Sequence, residues 1–297
     1  IRKDLSAMKI LLTGASGFLG SALMKKLSAN KDVLGIYSST PVHGAVQADI
    51  MDFAQMEKTV NDFGPDVIIH TAAISRVDAA ENMPRDIVMD INVISTQNIA
   101  EICADKNIKL IYTSTDLVYS GNEGGNLQEN AKLDPASFYA ETKLMGEIAI
   151  RNTFDNYIIL RTALLYGLHS ETNFFGKMFE ALKNGKEVRL FYDQYRSPIS
   201  VIEAAGMILE LSRLDIKGEI INFGGLERLS RLDMGTILCE EAGFDANNII
   251  KTSIHDMKDV PVVPDVSMDS GKLDSLGIKR KGYRESLKDI LKTRGLD

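Results

Sequence analysis

The chain has no tryptophan, only 2 cysteines and only 7 prolines in 297 residues. Two thiols, Cys103 and Cys239, set far apart on apolar helix-like stretches, exclude a disulfide framework and fit a reducing compartment. So few prolines exclude a collagen-like or proline-rich chain. No apolar run approaches the roughly 20 residues of a membrane-spanning helix, and Ile1–Ala7 lacks the apolar core of a signal peptide. Met8 reads as a natural start after a short leader, and a cytoplasmic location is expected. Positive charge is also scarce: 34 Lys and Arg against 41 Asp and Glu give a net charge of −7. An acidic chain without a basic block is a poor partner for nucleic acid, although local positive ends still suffice for a phosphorylated small molecule.

What is present is ordinary globular material, 44% apolar and 25% charged, enough for a sizeable core without a staple. Short β-rich runs alternate with amphipathic stretches. Strands are predicted at 9–13, 33–38, 66–70, 109–113 and 157–161. Helices are predicted at 18–29, where Leu19, Leu23 and Leu27 share a face, at 52–63 with Asp52 as N-cap, at 84–106 and at 137–154. The alternation and the nearly unbroken apolar strands predict an α/β fold, a doubly wound parallel sheet covered on both faces. Beyond Tyr166 the rhythm loosens: helices are expected at 173–184 and 200–214, strands at 187–191 and 219–223, with Pro198, Pro261 and Pro264 breaking the later chain. The expected organisation is a dinucleotide-binding domain over 8–165 and a smaller mixed α/β, mainly substrate-binding lobe over 166–297, with segments near 187–215 returning to the first.

Thr13-Gly14-Ala15-Ser16-Gly17-Phe18-Leu19-Gly20 follows the first strand and opens the first helix. In that setting Gly14 permits a tight turn, Gly17 lets a pyrophosphate approach the backbone, and Gly20 lets the helix pack on the strand. The helix N-terminus supplies free N–H groups and a positive end. An acidic residue about 20 positions on would hold the adenosine ribose of NAD. The second strand ends instead in Tyr37-Ser38-Ser39-Thr40. Hydroxyls tolerate a 2′-phosphate, so NADP is favoured, with NAD open. Asp49 and Ile50, after the third strand, are placed beside the adenine.

Tyr139-Ala140-Glu141-Thr142-Lys143 puts a phenol and an amine one turn apart on a helix face. A phenol of pKa near 10 needs a neighbouring cation to act as an acid–base group at neutral pH. Nine tyrosines with lysine at about 7% of positions give roughly 0.6 such pairs by chance, so context must decide. The context is Thr113-Ser114-Thr115-Asp116, ending a strand 24 residues before Tyr139. A hydroxyl at a strand's carboxyl end lies in the ligand crevice of a doubly wound sheet and can hold a carbonyl while Tyr139 protonates it. His43, His70, His169 and His255 show no metal-ligand spacing, and His70 reads as a hydrogen-bonded structural residue.

These motifs together resemble the extended short-chain dehydrogenase/reductase family, over most of the chain from Met8 onward. Within it the sequence is similar to the dTDP-4-dehydrorhamnose reductase group. It shares Ser114 to Gly121 (S-T-D-L-V-Y-S-G), Val77-Asp78-Ala79-Ala80-Glu81, Arg161-Thr162 to Tyr166-Gly167, Asn173-Phe174, and Asp193-Gln194 to Pro198. Leu117, Ile74 and Leu164 replace aromatic residues that face the sugar in that group. The resemblance implies a catalytic set of Thr115, Tyr139 and Lys143. The cofactor set expected is Gly14, Ser16, Gly17, Phe18, Leu19, Gly20, Ser38, Ser39, Asp49, Ile50, Thr71, Ala72, Ala73, Asn92, Tyr139 and Lys143. Asp116, Asn173 and Arg196 are expected at the substrate, with Arg196 and Lys177 as candidate diphosphate cations. No metal is expected. The implied partner is a nucleotide-linked 6-deoxysugar, the dTDP form being the one the resemblance points to, reduced at its 4-keto group, and the implied assembly is a homodimer. Two other readings stay open, an NAD-retaining sugar-nucleotide epimerase or dehydratase, and a regulatory subunit like that of methionine adenosyltransferase.

Overall fold

The computed structural model describes residues 8–30, 32–168, 173–257 and 262–293. The expectations placed on Ile1–Ala7, His169 and Pro261 lie outside these residues. The chain divides into two compact units: the first holds residues up to Val118, Ser137–Arg161 and Ala205–Ile221, the second Tyr119–Ala136, Thr162–Ala204 and the residues from Asn222 onward.

The first unit is built from β1 (Ile10–Thr13), α1 (Phe18–Leu27), β2 (Val33–Tyr37), β3 (Ala45–Gln47), α2 (Phe53–Phe63), β4 (Val67–His70), α3 (Val77–Asn82), α4 (Arg85–Met89), α5 (Ser95–Lys106), β5 (Lys109–Thr115), α6 (Phe138–Thr153) and β6 (Tyr157–Thr162). Glu219–Phe223 completes a seven-stranded parallel sheet in the order Glu219–Phe223, β6, β5, β4, β1, β2, β3. The strands bury residues of both parities, Ile10 and Leu12 as fully as Leu11, as a sheet covered on both faces requires. Leu11, Ile68, Leu110 and Ile159 pack there with Met56 and Val60 of α2 and with Ile99 and Cys103 of α5. The predicted face of α1, Leu19, Leu23 and Leu27, is buried, and Asp52 caps α2 by accepting from Gln55 N at 3.0 Å.

The order reverses at β1, which has β2 on one side and β4 on the other. The carboxyl ends of β1 and β4, with Thr13 paired to His70, therefore flank the crevice where such sheets take ligands. The stretch expected as one helix over 84–106 is α4, a π-helical turn at Asp90–Ile94, and α5. That extra-wide turn contains Asn92, and π-bulges recur at functional sites.

In the second unit Val188–Phe191 pairs with Ile249–Thr252, and Tyr195–Arg196 with Leu229–Ser230. Its core joins Phe175 and Phe179 to Met234, Leu238, Leu287 and Ile290. The last four come from Arg231–Ala242, the helix-like stretch around Cys239, and from Tyr283–Lys292, a helix that carried no expectation above. Two boundaries differ from expectation. Tyr119–Ala136 belongs to the second unit, and the returning segment is Ala205–Ile221, because Val188–Phe191 finds its strand partner in the second unit.

Candidate active site

Gly14 has φ +73°, and a Cβ there would meet Ala72 N and Thr71 Oγ1 at 2.8 Å. A Cβ on Gly20 would lie 1.9 Å from Gly14 O. Only glycine fits either place, so α1 begins directly against β1. Gly17 is the N-cap, without a side-chain cap bond and without an acid in the first turn, which leaves the N-terminal amides of α1 for an anion. Ser16 and Gly17 are exposed, Phe18 half-buried and Leu19 buried. Beside this turn Thr71 Oγ1 donates to Thr13 O at 2.8 Å, seating Thr71, Ala72 and Ala73 against the glycine turn.

At the end of β2, Ser38, Ser39 and Thr40 are exposed. Gln47 Nε2 donates to Ser38 O at 2.8 Å, so a carboxamide, not a carboxylate, stands here. Asp49 is exposed and Ile50 half-buried, Ile50 packing against the core.

The second group of residues gathers on α6 and the end of β5. Ser137 caps α6, Glu81 accepts from Phe138 N at 2.8 Å, and the Arg85 guanidinium lies 4.3 Å from the Phe138 ring centre. Thr115 and Tyr139 are both buried, and the Thr115 hydroxyl acts on the Tyr139 phenol from the end of β5. The Thr115 hydroxyl also lies 3.3 Å from Asp116 Oδ1 and accepts from Leu117 N at 3.2 Å. One turn along, the Lys143 amine stands 4.1 Å from the Tyr112 ring centre.

Electrostatics here differ from the sequence expectation of a cation acidifying the phenol. Burial holds Tyr139 above its ordinary value, the Thr115 hydroxyl pulling it down and Asp116 pushing it up. Burial also pushes Lys143 down to about 7, against the upward pull of Glu147. Desolvation outweighs the Thr115 pull on Tyr139 and the Glu147 pull on Lys143, because both groups sit nearly out of water.

The structure places the remaining candidates in local roles. Asn92 is buried, accepts from Ile74 N, and donates to Ile74 O and Thr142 Oγ1; its side chain shapes the loop after β4. His70 is hydrogen-bonded on both nitrogens, Nδ1 to Thr13 Oγ1 at 2.6 Å and Nε2 to Thr96 Oγ1 at 3.0 Å. In the second unit Asn173 caps Phe174–Lys183 by accepting from Gly176 N at 2.7 Å. Arg196 is buried and donates to Val263 O and Tyr195 O, so its guanidinium is spent on backbone carbonyls. Among the described residues no group of three or more His, Cys, Asp or Glu stands together as a ligand set, and no described helix is long and apolar enough to cross a membrane.

Sequence reasoning missed Glu147, which is fully buried against Arg161 and Ser114. The signal was there: Glu147 follows Lys143 by four residues, one more turn along the Tyr139–Lys143 face.

A glycine turn at the switch point of a doubly wound parallel sheet, with a tyrosine–lysine helix beside the neighbouring strand end, defines the extended short-chain dehydrogenase/reductase class. Comparison with known proteins narrows this: the chain belongs to the RmlD substrate binding domain family, matched over residues 8–295. It is similar to the methionine adenosyltransferase 2 subunit beta of Xenopus tropicalis, 31% identical over 298 residues, covering 94% of this chain and 87% of that protein. It is also similar to the probable low-salt glycan biosynthesis reductase Agl14 of Haloferax volcanii, 30% identical over 83% of this chain and 84% of the relative. Among solved structures, a dTDP-4-dehydrorhamnose reductase from Bacillus anthracis in complex with NADP superposes with TM-score 0.85 at 26% identity, over 96% of this chain and 99% of that one.

Proposed function

We propose that the chain is an NADPH-dependent reductase of a nucleotide-linked 4-keto-6-deoxysugar, of the dTDP-4-dehydrorhamnose reductase type, with NADH the lesser cofactor. The observation that carries this is the burial together of Thr115 at the end of β5 and of Tyr139 and Lys143, one turn apart on α6. The residues fit the cofactor: the uncapped, acid-free start of α1 and the glycines that admit no Cβ make a seat for a diphosphate, and the strand end Ser38–Thr40 holds no carboxylate to repel a 2′-phosphate. The NADP in the Bacillus anthracis structure supports the same choice.

When bound, the reduced nicotinamide supplies a hydride to the keto carbon. Thr115 holds the keto oxygen by hydrogen bonding. Tyr139 donates its phenolic proton to that oxygen as charge develops there. A phenol held above its ordinary value stays protonated at neutral pH, the state a proton donor in reduction needs. Lys143, in its ammonium form, would hold the nicotinamide ribose and would return a proton to the Tyr139 phenolate, the proton then being replaced from solvent. Asp116, buried beside Thr115, would take a sugar hydroxyl. The same reading has the protein act in the cytoplasm as a homodimer on a dTDP-sugar; sedimentation tests the dimer.

The test mixes the protein with dTDP-4-dehydrorhamnose and NADPH or NADH and follows nicotinamide absorbance. Turnover is expected, with Tyr139→Phe lower by about 10²–10⁴-fold and still binding NADPH. Consumption no faster than in Tyr139→Phe ends this reading. An epimerase or dehydratase with retained NAD is disfavoured by the missing acid after β2. The similarity to the frog subunit beta favours a second reading, a regulatory subunit that binds NADP without turnover. Stable co-purification with a methionine adenosyltransferase, in the absence of turnover, selects it.

A further inference from the structure

Four residues past Lys143, Glu147 is 0% exposed. Its Oε2 pairs with Arg161 Nη2 at 2.9 Å, and Arg161, 1% exposed, also presents Nε to both carboxylate oxygens at 3.2 and 3.3 Å. Ser114 donates its hydroxyl to Glu147 Oε1 at 2.5 Å. Three elements meet at this carboxylate: β5 through Ser114, the residue before Thr115; β6 through Arg161; and α6, which carries Tyr139, Lys143 and Glu147 along one face. Removing two charges from water is costly, and apolar residues of similar volume often stabilise a core better. A stability role alone therefore explains this pair poorly.

We propose that Glu147 is a positioning residue for the reduction, its carboxylate fixing the Thr115 end of β5 to the Lys143 turn of α6 and supplying the negative charge beside the Lys143 amine. Lys143 is faced by Tyr112 from β5, His70 from β4, and Tyr139 and Glu147 from its own helix, with Asp116 beyond Tyr139 and Arg161 across on β6. Of these, Glu147 is the group that favours the ammonium form. Tyr112 presses against α6 where Gly146 leaves room; a Cβ there would meet its phenolic oxygen. The inference rests on the reductase reading for its consequence, but the geometry it concerns can be measured without turnover.

The experiment uses three variants of the full chain. Glu147→Gln with Arg161→Met removes the charge without stranding a buried guanidinium. Ser114→Ala loosens the carboxylate and leaves the ion pair in place. Glu147→Asp is the conservative rescue. Lysine labelled with ¹³C at Cε reports the titration of Lys143, assigned with Lys143→Met. In the double variant Lys143 is expected to titrate at least about one pH unit lower, kcat to fall about tenfold or more, and KM for NADPH to rise at neutral pH as the ammonium is lost. The basic limb of the kcat/KM profile moves down with the amine. Ser114→Ala shows a smaller move in the same direction, and Glu147→Asp recovers part of the loss. An unchanged Lys143 titration in both the double variant and Ser114→Ala overturns the proposal; should the double variant fail to fold, Ser114→Ala alone decides. If the wild type shows no turnover while the amine still shifts, the reductase reading fails and the assignment of Glu147 stands.

Discussion

Asn92 grips the backbone of Ile74 at both ends, its Oδ1 accepting from Ile74 N at 2.8 Å and its Nδ2 donating to Ile74 O at 3.2 Å. One side chain on the π-helical turn thereby fixes the loop that carries Thr71–Ala73 past the glycine turn. Asn92→Ala leaves two backbone groups and the Thr142 hydroxyl short of a partner. The expected loss is about 1–3 kcal/mol, measured by urea unfolding, with weaker NADPH binding in a fluorescence titration. Unchanged stability and affinity would show that the loop holds itself.

Gly20 and Gly206 should respond to alanine with opposite signs. At Gly20 the new Cβ would lie 1.9 Å from Gly14 O, so backbone must move; overpacking costs about 1–3 kcal/mol or more, and NADPH affinity is expected to fall at least tenfold. At Gly206, within the helix Val201–Ser212, the nearest atom is the Lys26 stem at 3.6 Å. Gly206→Ala is expected to raise stability by up to about 1 kcal/mol. Thermal midpoints of the two variants check both signs.

His70 and Lys143 set the pH response of the ligand-free protein. Burial, then the Lys143 charge, lowers His70 to about 3 from 6.5. The unfolded chain therefore binds the extra proton between pH 6.5 and 3, and stability falls as pH drops through that window, by about 1.4 kcal/mol per pH unit for one proton. His70→Gln should flatten this slope by one proton. Lys143 behaves likewise at higher pH: lowered to about 7 from 10.5, its burial penalty is full below 7 and relaxes as pH rises toward 10.5. Lys143→Met should remove that rise. Urea midpoints across pH 4.5–9.5 test both.

Cofactor preference turns on Ser38 and Ser39. NADPH is expected to bind tighter than NADH, and Ser39→Glu to reverse the order by placing a carboxylate against the 2′-phosphate. NADH binding at least tenfold tighter to the wild type, a gap of about 1.4 kcal/mol, would contradict this assignment.

The nucleotide half was legible because its signals are local and periodic. Leu19, Leu23 and Leu27 spell a helix face, Asp52 announces a cap, and the three glycines mark a turn in which two of them, Gly14 and Gly20, admit no other residue. What escaped depends on distant partners. Arg161 and Glu147 are ordinary charges in the sequence, and only the adjacency of β5, β6 and α6 makes them a buried pair. Arg196 reads in the sequence as a phosphate-binding fork, and its bonds to the Val263 and Tyr195 carbonyls, the first 67 residues away, are visible only in the fold. The helices Arg231–Ala242 and Tyr283–Lys292 bury faces against each other and against Phe179, a contact between segments about 50 residues apart that no short window reveals. Tyr139 and Lys143 were legible as a pair, but their titration was not, since it is set by how completely the fold dries them.

The outermost position beside β6 is filled by Glu219–Phe223, a segment made some sixty residues after β6 itself. During synthesis β6 must wait with one flank of amides and carbonyls bare until Phe223 has left the ribosome. A chain halted before that point carries an open, apolar edge of the kind that pairs with other chains.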